Sequence, residues 1–205
     1  MEYECNGISV MPTKLSPDDL FSLEKYSKVR SEFRIKVIEH KKNRVLHVGP
    51  NATWLFEDQL TVQYQVQEML RVERIFESEG IQDELDAYNP LIPDGTNWKA
   101  TFLVEFPDEA ERRRQLTHLL HIEDRSWVRV QGHDKVFAIA DEDLDRENDE
   151  KTSSVHFLRF QLSPEMRAAI KRGAAISCGI DHENYKHALD PIPENVRASL
   201  ATDVK

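Results

Sequence analysis

The sequence predicts an α+β fold, a mainly antiparallel β-sheet packed against N-terminal helices, and three observations support this prediction. Helical spacing of apolar residues dominates residues 16–88. Segments with alternating apolar residues follow, near residues 97–106, 126–131, 135–140, 154–162 and 174–180. Turns or single helices connect most of these segments, which favours antiparallel pairing within one sheet.

Composition bounds the class of protein. The chain has 205 residues, 40% hydrophobic and 31% charged, which suits a single domain over residues 14–205 behind a flexible tail, residues 1–13. The net charge is −10, and no apolar run approaches the roughly 20 residues that span a membrane. The N-terminus lacks the basic region of a secretory signal, and Cys5 and Cys178 fit no zinc or redox spacing. We therefore expect a cytoplasmic protein with free thiols and no membrane partner.

Caps and spacing locate the elements. Ser16, followed by Pro17 and two acidic residues, is the predicted N-cap of the first helix. Pro50-Asn51 predicts a hairpin between the strands on either side of it, and a Pro-rich segment leads to the last helix. The predicted helices are Ser16–Lys42, Leu60–Phe76, Gly80–Tyr88, Pro107–His121, Pro164–Arg172 and Glu194–Ala201.

The helix predicted over Leu60–Phe76 carries polar residues on its apolar side. At 100° per residue, Gln65, Glu68 and Glu73 fall inside the apolar arc. A bare buried carboxylate costs several kcal/mol or more, so these acids need a cation, a metal or a proton.

The strand "TSSVHFLRF" (Thr152–Phe160) carries a cation-capable residue on each face. Alternation places His156 with Leu158 and Phe160, and Arg159 on the other face. We expect at least one of the two to contact a carboxylate of the Leu60–Phe76 helix, with Glu73 the favoured partner.

Two interpretations of these residues stay open. Under the first, the contact is a structural ion pair that fixes the sheet against the helix. Under the second, it is one wall of a polar binding pocket at the sheet–helix interface. The candidate pocket residues are Glu68, Glu73, Lys99, His156, Arg159 and Arg34, with Thr101 nearby.

Charge is distributed unevenly. Residues 24–47 hold eight Lys or Arg and three Glu, a net +5, which leaves −15 for the rest of the chain. The basic segment is typical of a solvated helix face, with an anion site as the alternative. The strongly acidic remainder argues against a nucleic-acid partner.

The short motifs of well-known enzymes are absent. The sequence has no glycine-rich phosphate loop, dinucleotide fingerprint, cysteine pair or serine elbow. His118 and His121 stand three apart and could share a metal, but they lie opposite an apolar stripe, and two ligands make a weak site. The residues alone therefore assign no reaction, cofactor or metal.

Three longer segments resemble a known family. "LFEDQLTVQYQVQEMLRVERI" (Leu55–Ile75), "ELDAYNPLIPDGTNWKATFLVEF" (Glu84–Phe106) and "KTSSVHFLRFQLSPEMRAAI" (Lys151–Ile170) resemble the bacterial domain of unknown function 3501, from about Lys14 to the C-terminus. The resemblance implies a bacterial cytoplasmic protein without an assigned activity. It also implies an accessory role beside rubrerythrin-like proteins and iron–sulfur redox proteins related to heterodisulfide reductase.

Two functional hypotheses follow. The first is a non-enzymatic accessory protein that binds a rubrerythrin-like or iron–sulfur redox partner. The second is a metal- or small-anion-binding enzyme with the polar pocket described above. A homo-oligomer is compatible with either hypothesis.

Overall fold

In a computed structural model of the chain, which describes residues 14–142 and 151–205, two antiparallel β-sheets pack face to face beside a layer of helices. The helices are α1 (Leu23–Lys41), α2 (Gln59–Glu73), α3 (Ser78–Tyr88), α4 (Glu109–His118), α5 (Pro164–Lys171) and α6 (Glu194–Ala201). The strands are β1 (Val45–His47), β2 (Ala52–Phe56), β3 (Asn97–Val104), β4 (Ser126–Val130), β5 (Lys135–Phe137), β6 (Ile139–Ala140), β7 (Val155–Gln161), β8 (Ile176–His182) and β9 (Tyr185–Leu189).

The chain changes sheets between two neighbouring strands. The first sheet has the order β1–β2–β3–β7–β6, and the second has the order β5–β4–β8–β9. β5 and β6 are separated only by Ala138, so the chain passes from the second sheet to the first at this point. The segment predicted as one strand, residues 135–140, is therefore two strands in different sheets.

The main core lies between the two sheets. Inward side chains alternate along β2, β3 and β7, as expected for strands buried on one face. Apolar residues of β4 and β8 meet them from the second sheet. The largest inward side chains of the first sheet are Trp54, Phe56, Trp98, Phe102 and Phe160.

The N-terminal helices form a second, smaller core. α1 and α2 run antiparallel, because Arg30 of α1 pairs with Glu68 of α2 while His40 pairs with Asp58. α3 packs on α2. The residues of this core are Leu15, Val62, Val66, Leu70, Leu85 and Ile92.

The predicted α+β class and the antiparallel pairing are confirmed. The sequence did not reveal the second sheet, which covers the inner face of the first, or the edge strand β9. Ser16 caps only a short 3-10 helix over Pro17–Asp19, and Ser22 caps α1. Within the described ranges, no helix has both the length and the apolarity needed to cross a membrane.

The cysteine prediction is confirmed where the structure describes it. Cys178 is free and fully buried on β8. Cys5 and the predicted tail, residues 1–13, lie outside the described residues, as do residues 143–150 of the acidic linker.

Candidate functional site

Glu68 is the centre of a polar contact between α1 and α2. Its Oε1 accepts hydrogen bonds from the Tyr26 hydroxyl at 2.6 Å and from Arg30 Nε at 2.8 Å. Its Oε2 accepts from Arg30 Nη2 at 2.8 Å and from Arg71 Nη2 at 3.1 Å. The Arg30 guanidinium is the main cause that lowers the pKa of Glu68 to about 2. Of the three options predicted for Glu68, a cation, a metal or a proton, the structure shows a cation, and it comes from α1.

The prediction for Glu73 is wrong. Glu73 is the last residue of α2 and is exposed, as are Gln65 and the α1 residue Arg34. α2 packs against α1 and α3, and part of its apolar arc faces solvent. Exposed Val72, one residue before Glu73, marks this open side.

Arg159 and Lys99 lie on the outer face of the first sheet, opposite each other in the β3–β7 register. Arg159 makes a bidentate ion pair with Glu142, with Nε–Oε2 at 2.6 Å and Nη2–Oε1 at 2.7 Å. Lys99 Nζ donates to the carbonyl of Pro90. Burial lowers the pKa of Lys99, and the charge of Arg159 acts in the same direction. The predicted contact between Arg159 and an acid of α2 is therefore wrong.

His156 lies on the inner face of β7, with no exposed surface, and it shares that face with Leu158 and Phe160, as alternation predicted. Its Nδ1 is 2.6 Å from Asp141 Oδ2, and its Nε2 is 3.6 Å from Glu123 Oε2. Nε2 also lies 3.0 Å from the Thr152 hydroxyl and 3.1 Å from the Ser153 carbonyl oxygen. The predicted contact between His156 and an acid of α2 is wrong, because the second sheet and its turns cover this face.

Two carboxylates control the charge of His156. Burial alone lowers the pKa of the imidazole. The hydrogen bond with Asp141 and the negative charges of Glu123 and Asp141 together outweigh burial, and the pKa of His156 is raised. Without a metal, the imidazole is therefore held in its protonated form more strongly than in water.

Three separate segments bring these groups together. Glu123 is buried in the turn between α4 and β4. Asp141 follows β6 directly, and its Oδ1 accepts from the Phe157 N–H at 2.8 Å. Thr152, just before β7, donates its hydroxyl to Glu123 Oε2 at 3.3 Å. Hydrogen bonds to the backbone and to a buried hydroxyl thus fix both carboxylates around the imidazole.

Glu123, Asp141 and His156, named here the His156 cluster, each place a ligand-type atom within 4.8 Å of the others. His121, Glu123 and Asp124 form a second trio by the same measure, and the two trios share Glu123. His121 and Asp124 are exposed, whereas Glu123 and His156 are buried. Donor atoms therefore run from the surface to the interior.

The backbone at this cluster is unusual. Among the described residues, three that are not glycine have positive φ, and two of them are His121 (64°) and Asp141 (46°). His and Asp tolerate this region better than most residues, but strained backbone is found preferentially at functional sites. The conformation is thus a second feature, independent of the donor atoms, that points to this place.

The six predicted pocket residues do not form one pocket. Glu68, Glu73 and Arg34 belong to the helical layer, Lys99 and Arg159 to the outer face of the first sheet, and His156 to its inner face. Sequence reasoning missed Glu123, Asp124 and Asp141. The segment "HIEDR" (His121–Arg125) was the available signal, because it puts three metal-ligating residue types in one turn.

A buried network elsewhere has a structural role. Arg44 is 1% exposed and donates to the carbonyls of Phe56 and Glu57 and to Asp203 Oδ2 at 2.6 Å. Burial raises the pKa of Asp203 to about 6, although the Arg44 guanidinium opposes this. The network joins the end of α1 to the C-terminal segment, and it uses one cation of the basic segment.

Comparisons with known proteins extend over nearly the whole chain. A family model described as "Protein of unknown function (DUF3501)" matches residues 14–204. A search of the curated proteins gave no match. The fold is similar to a crystal structure described as a novel protein of unknown function from Burkholderia pseudomallei K96243, with a TM-score of 0.89 and 50% identity. That similarity covers 94% of this chain and 100% of the other.

Proposed function

The chain belongs to the family described as "Protein of unknown function (DUF3501)", and we propose that it binds one divalent first-row transition metal at the His156 cluster. One observation carries the proposal. An imidazole and two carboxylates, from three segments, place ligand-type atoms within 4.8 Å of one another.

The donor set fits Zn²⁺, Fe²⁺ or Mn²⁺. Imidazole nitrogen and carboxylate oxygen are common ligands of these ions, whereas a site for Ca²⁺ or Mg²⁺ is built mostly from oxygen. A dication would balance the charges of Glu123 and Asp141 and replace the proton on His156, so binding releases a proton.

The surroundings support ligand geometry. The Phe157 N–H holds Asp141, and the Thr152 hydroxyl holds Glu123, through the hydrogen bonds described above. Groups that orient metal ligands in this way strengthen metal sites. Exposed His121 and Asp124 add donor atoms on the solvent side, within 4.8 Å of an oxygen of Glu123.

The test is metal binding to the full chain. Protein purified without chelator is analysed for metal content, then stripped and titrated by calorimetry with Zn²⁺, Mn²⁺ and, without oxygen, Fe²⁺. We expect one equivalent per chain. Glu123→Gln and Asp141→Asn should each weaken binding about tenfold or more, because Glu123 approaches Nε2 of His156 and Asp141 approaches Nδ1, so one change removes a charged ligand and the other removes the carboxylate that orients the ring.

Glu73→Gln is the matched control, because it removes an exposed carboxylate outside the cluster. It should leave the affinity unchanged. Circular dichroism confirms that each variant folds. If none of the three ions binds, or if Glu123→Gln and Glu73→Gln bind equally tightly, the proposal fails.

The accessory role implied by the resemblance stays a prediction. A bound redox-active metal would give such a role its chemistry. The partner, a rubrerythrin-like or iron–sulfur redox protein, is tested by isolating the tagged chain from its native host and identifying what co-purifies. A partner that binds wild type but not Asp141→Asn would link the two functions.

A further inference from the structure

Glu123 belongs to two groups of metal-ligating side chains, and the function proposed above uses only the buried one, the His156 cluster. The second group is His121, Glu123 and Asp124, named here the outer trio, whose ligand-type atoms also lie within 4.8 Å of one another. Elsewhere in the part of the chain that the structure describes, no three His, Cys, Asp or Glu side chains come this close together. The two groups thus coincide at one residue.

The two groups offer the same kinds of donor. Each has one imidazole, the shared Glu123 and one aspartate, which is Asp124 in the outer trio and Asp141 in the His156 cluster. Imidazole and carboxylate donors suit Zn²⁺, Fe²⁺ or Mn²⁺, so the outer trio suits the same class of ion as the cluster. His121 and Asp124 are exposed and Glu123 is buried, so the outer trio is the solvent side of the site.

One oxygen of the Glu123 carboxylate is turned toward His156. Oε2 lies 3.6 Å from His156 Nε2 and accepts the hydrogen bond of the Thr152 hydroxyl at 3.3 Å. The two oxygens of a carboxylate can bind different ions, and the ions of two-metal sites lie about 3.5–4 Å apart. Glu123 can therefore bind an ion in the cluster through Oε2 and a second ion through Oε1.

Strand β8 holds the turn that carries the outer trio, residues 119–125. His182 Nε2 lies 2.9 Å from the Leu120 carbonyl oxygen, and the Asp181 N–H donates to the Arg125 carbonyl at 2.9 Å. The backbone of the turn is thus fixed near both of its ends. The donors of the outer trio therefore extend from a defined backbone, as the ligands of a metal site must.

Negative charge remains at this place when the cluster is filled. The two groups together hold three carboxylates, those of Glu123, Asp124 and Asp141. One dication offsets only two of these charges, so a site with its first ion still attracts a cation.

We propose that the outer trio binds a second divalent ion of the same class, bridged by Glu123 to the ion in the His156 cluster. The inference rests on the function proposed above, because Glu123 is a bridge only when the first ion is bound. The second ion binds in a later and weaker step than the single equivalent expected for the cluster. Two of its ligands are exposed side chains, which binding must order, and the two ions repel each other.

The first test counts the ions. Metal-free full chain is titrated with Mn²⁺, and free Mn²⁺ is read by electron paramagnetic resonance. Wild type should bind two ions in two steps, and His121→Asn and Asp124→Asn should each lose the weaker step and keep the tighter one. Asn is chosen for residue 121 because it tolerates the positive φ (64°) of this position.

His118→Asn is the matched control, because His118 is an exposed histidine at the end of α4, outside both groups. It should keep both steps. Glu123→Gln should lose the weaker step and also weaken the tighter one, because it removes the bridge. Circular dichroism confirms that each variant folds.

The second test shows whether the two ions are bridged. Two Mn²⁺ ions joined by a carboxylate interact magnetically, so the spectrum of the fully loaded protein should differ from that of protein with one ion per chain. The difference should be absent from Asp124→Asn, which keeps one ion.

Every result of these tests decides the proposal. Two ions that interact magnetically, with the weaker one lost in both outer-trio variants, would support it. A wild type that binds one ion would overturn it and leave the function proposed above standing, whereas a wild type that binds none would overturn both. A second ion that both variants keep, or two ions without magnetic interaction, would show that the second ion lies elsewhere and would overturn the bridge.

Discussion

Replacing Glu68 by Ala should destabilise the protein far more than replacing Glu73 on the same helix. Glu68 is 18% exposed and accepts hydrogen bonds from Tyr26, Arg30 and Arg71. Glu73 is exposed at the end of α2. The two substitutions remove the same group from one helix and differ mainly in what the carboxylate contacts.

The magnitude lies between two limits. Truncating one partner of a fully buried pair costs about 3–5 kcal/mol, and an exposed pair is worth about 0.2–1 kcal/mol. Arg30 is 34% exposed and Tyr26 is fully buried, so Glu68→Ala leaves a half-buried cation and a buried hydroxyl without their acceptor. We expect a loss of about 2–3 kcal/mol for Glu68→Ala and less than about 0.5 kcal/mol for Glu73→Ala.

Urea unfolding followed by circular dichroism gives both free energies. The same difference should lower the melting temperature of Glu68→Ala by about 5–10 °C. The unfolding free energy of Tyr26→Phe should lie between those of Glu68→Ala and Glu73→Ala, because this change removes one hydrogen-bond donor and leaves the Arg30–Glu68 ion pair. Equal unfolding free energies for Glu68→Ala and Glu73→Ala would refute the assignment of the contact to Glu68.

Three further predictions follow from single residues. The folded-state pKa of Glu68 is lowered to about 2 from 4.5, so its stabilising contribution is complete above pH 4.5 and is lost as the pH falls toward 2; Glu68→Gln should flatten the acid limb of a stability–pH curve. Burial raises the pKa of the Cys178 thiol to about 12, so in a Cys5→Ser variant a thiol reagent should label the protein only after unfolding, and rapid labelling of that folded variant would contradict this. Gly49→Ala should cost more than Gly132→Ala in urea unfolding, although φ is positive at both (83° and 84°), because only the new Cβ at residue 49 meets a neighbour, His187 Cγ, at 2.5 Å.

Elements with strong periodicity were predictable from sequence. The helix expected over Leu60–Phe76 is α2, and Glu194–Ala201 is α6 to the residue. β9 was not predicted, because its middle residues, Lys186–Ala188, are polar or small and are exposed at the edge of the sheet. The strand therefore lacks an alternation of apolar residues. The change of sheet at Ala138 was not predicted, because one run of alternating residues continues through both β5 and β6.

Of the three residues in the His156 cluster, only His156 lies on a regular element, and only its placement could be predicted from the sequence. Alternation along β7 places His156 on the same face as Leu158 and Phe160, and this is confirmed, although both faces looked apolar and alternation did not decide which one is buried. Its partners lie in turns, where no periodicity constrains the direction of a side chain, so Glu123 and Asp141 could not be assigned. Glu73 was chosen because a helical wheel treats the whole apolar arc as buried, whereas α2 has an open side at its end.

The energetics of the His156 cluster lead to one last prediction. Three ionisable groups occupy a region that apolar side chains could fill, and ionic clusters of this kind are often no more stable than an apolar replacement, which can gain about 1–4 kcal/mol. We expect the triple variant Glu123→Met, Asp141→Asn and His156→Leu to match or exceed the unfolding free energy of metal-free wild type. The amide introduced by Asp141→Asn would keep an oxygen for the Phe157 N–H. The same variant should bind no metal, because it has lost the imidazole and both carboxylates.

Parallel urea unfolding and metal titration measure the two effects. A triple variant less stable than metal-free wild type by more than about 2 kcal/mol would show that the cluster is needed to hold the fold together, and would remove the energetic reason for assigning it to metal binding.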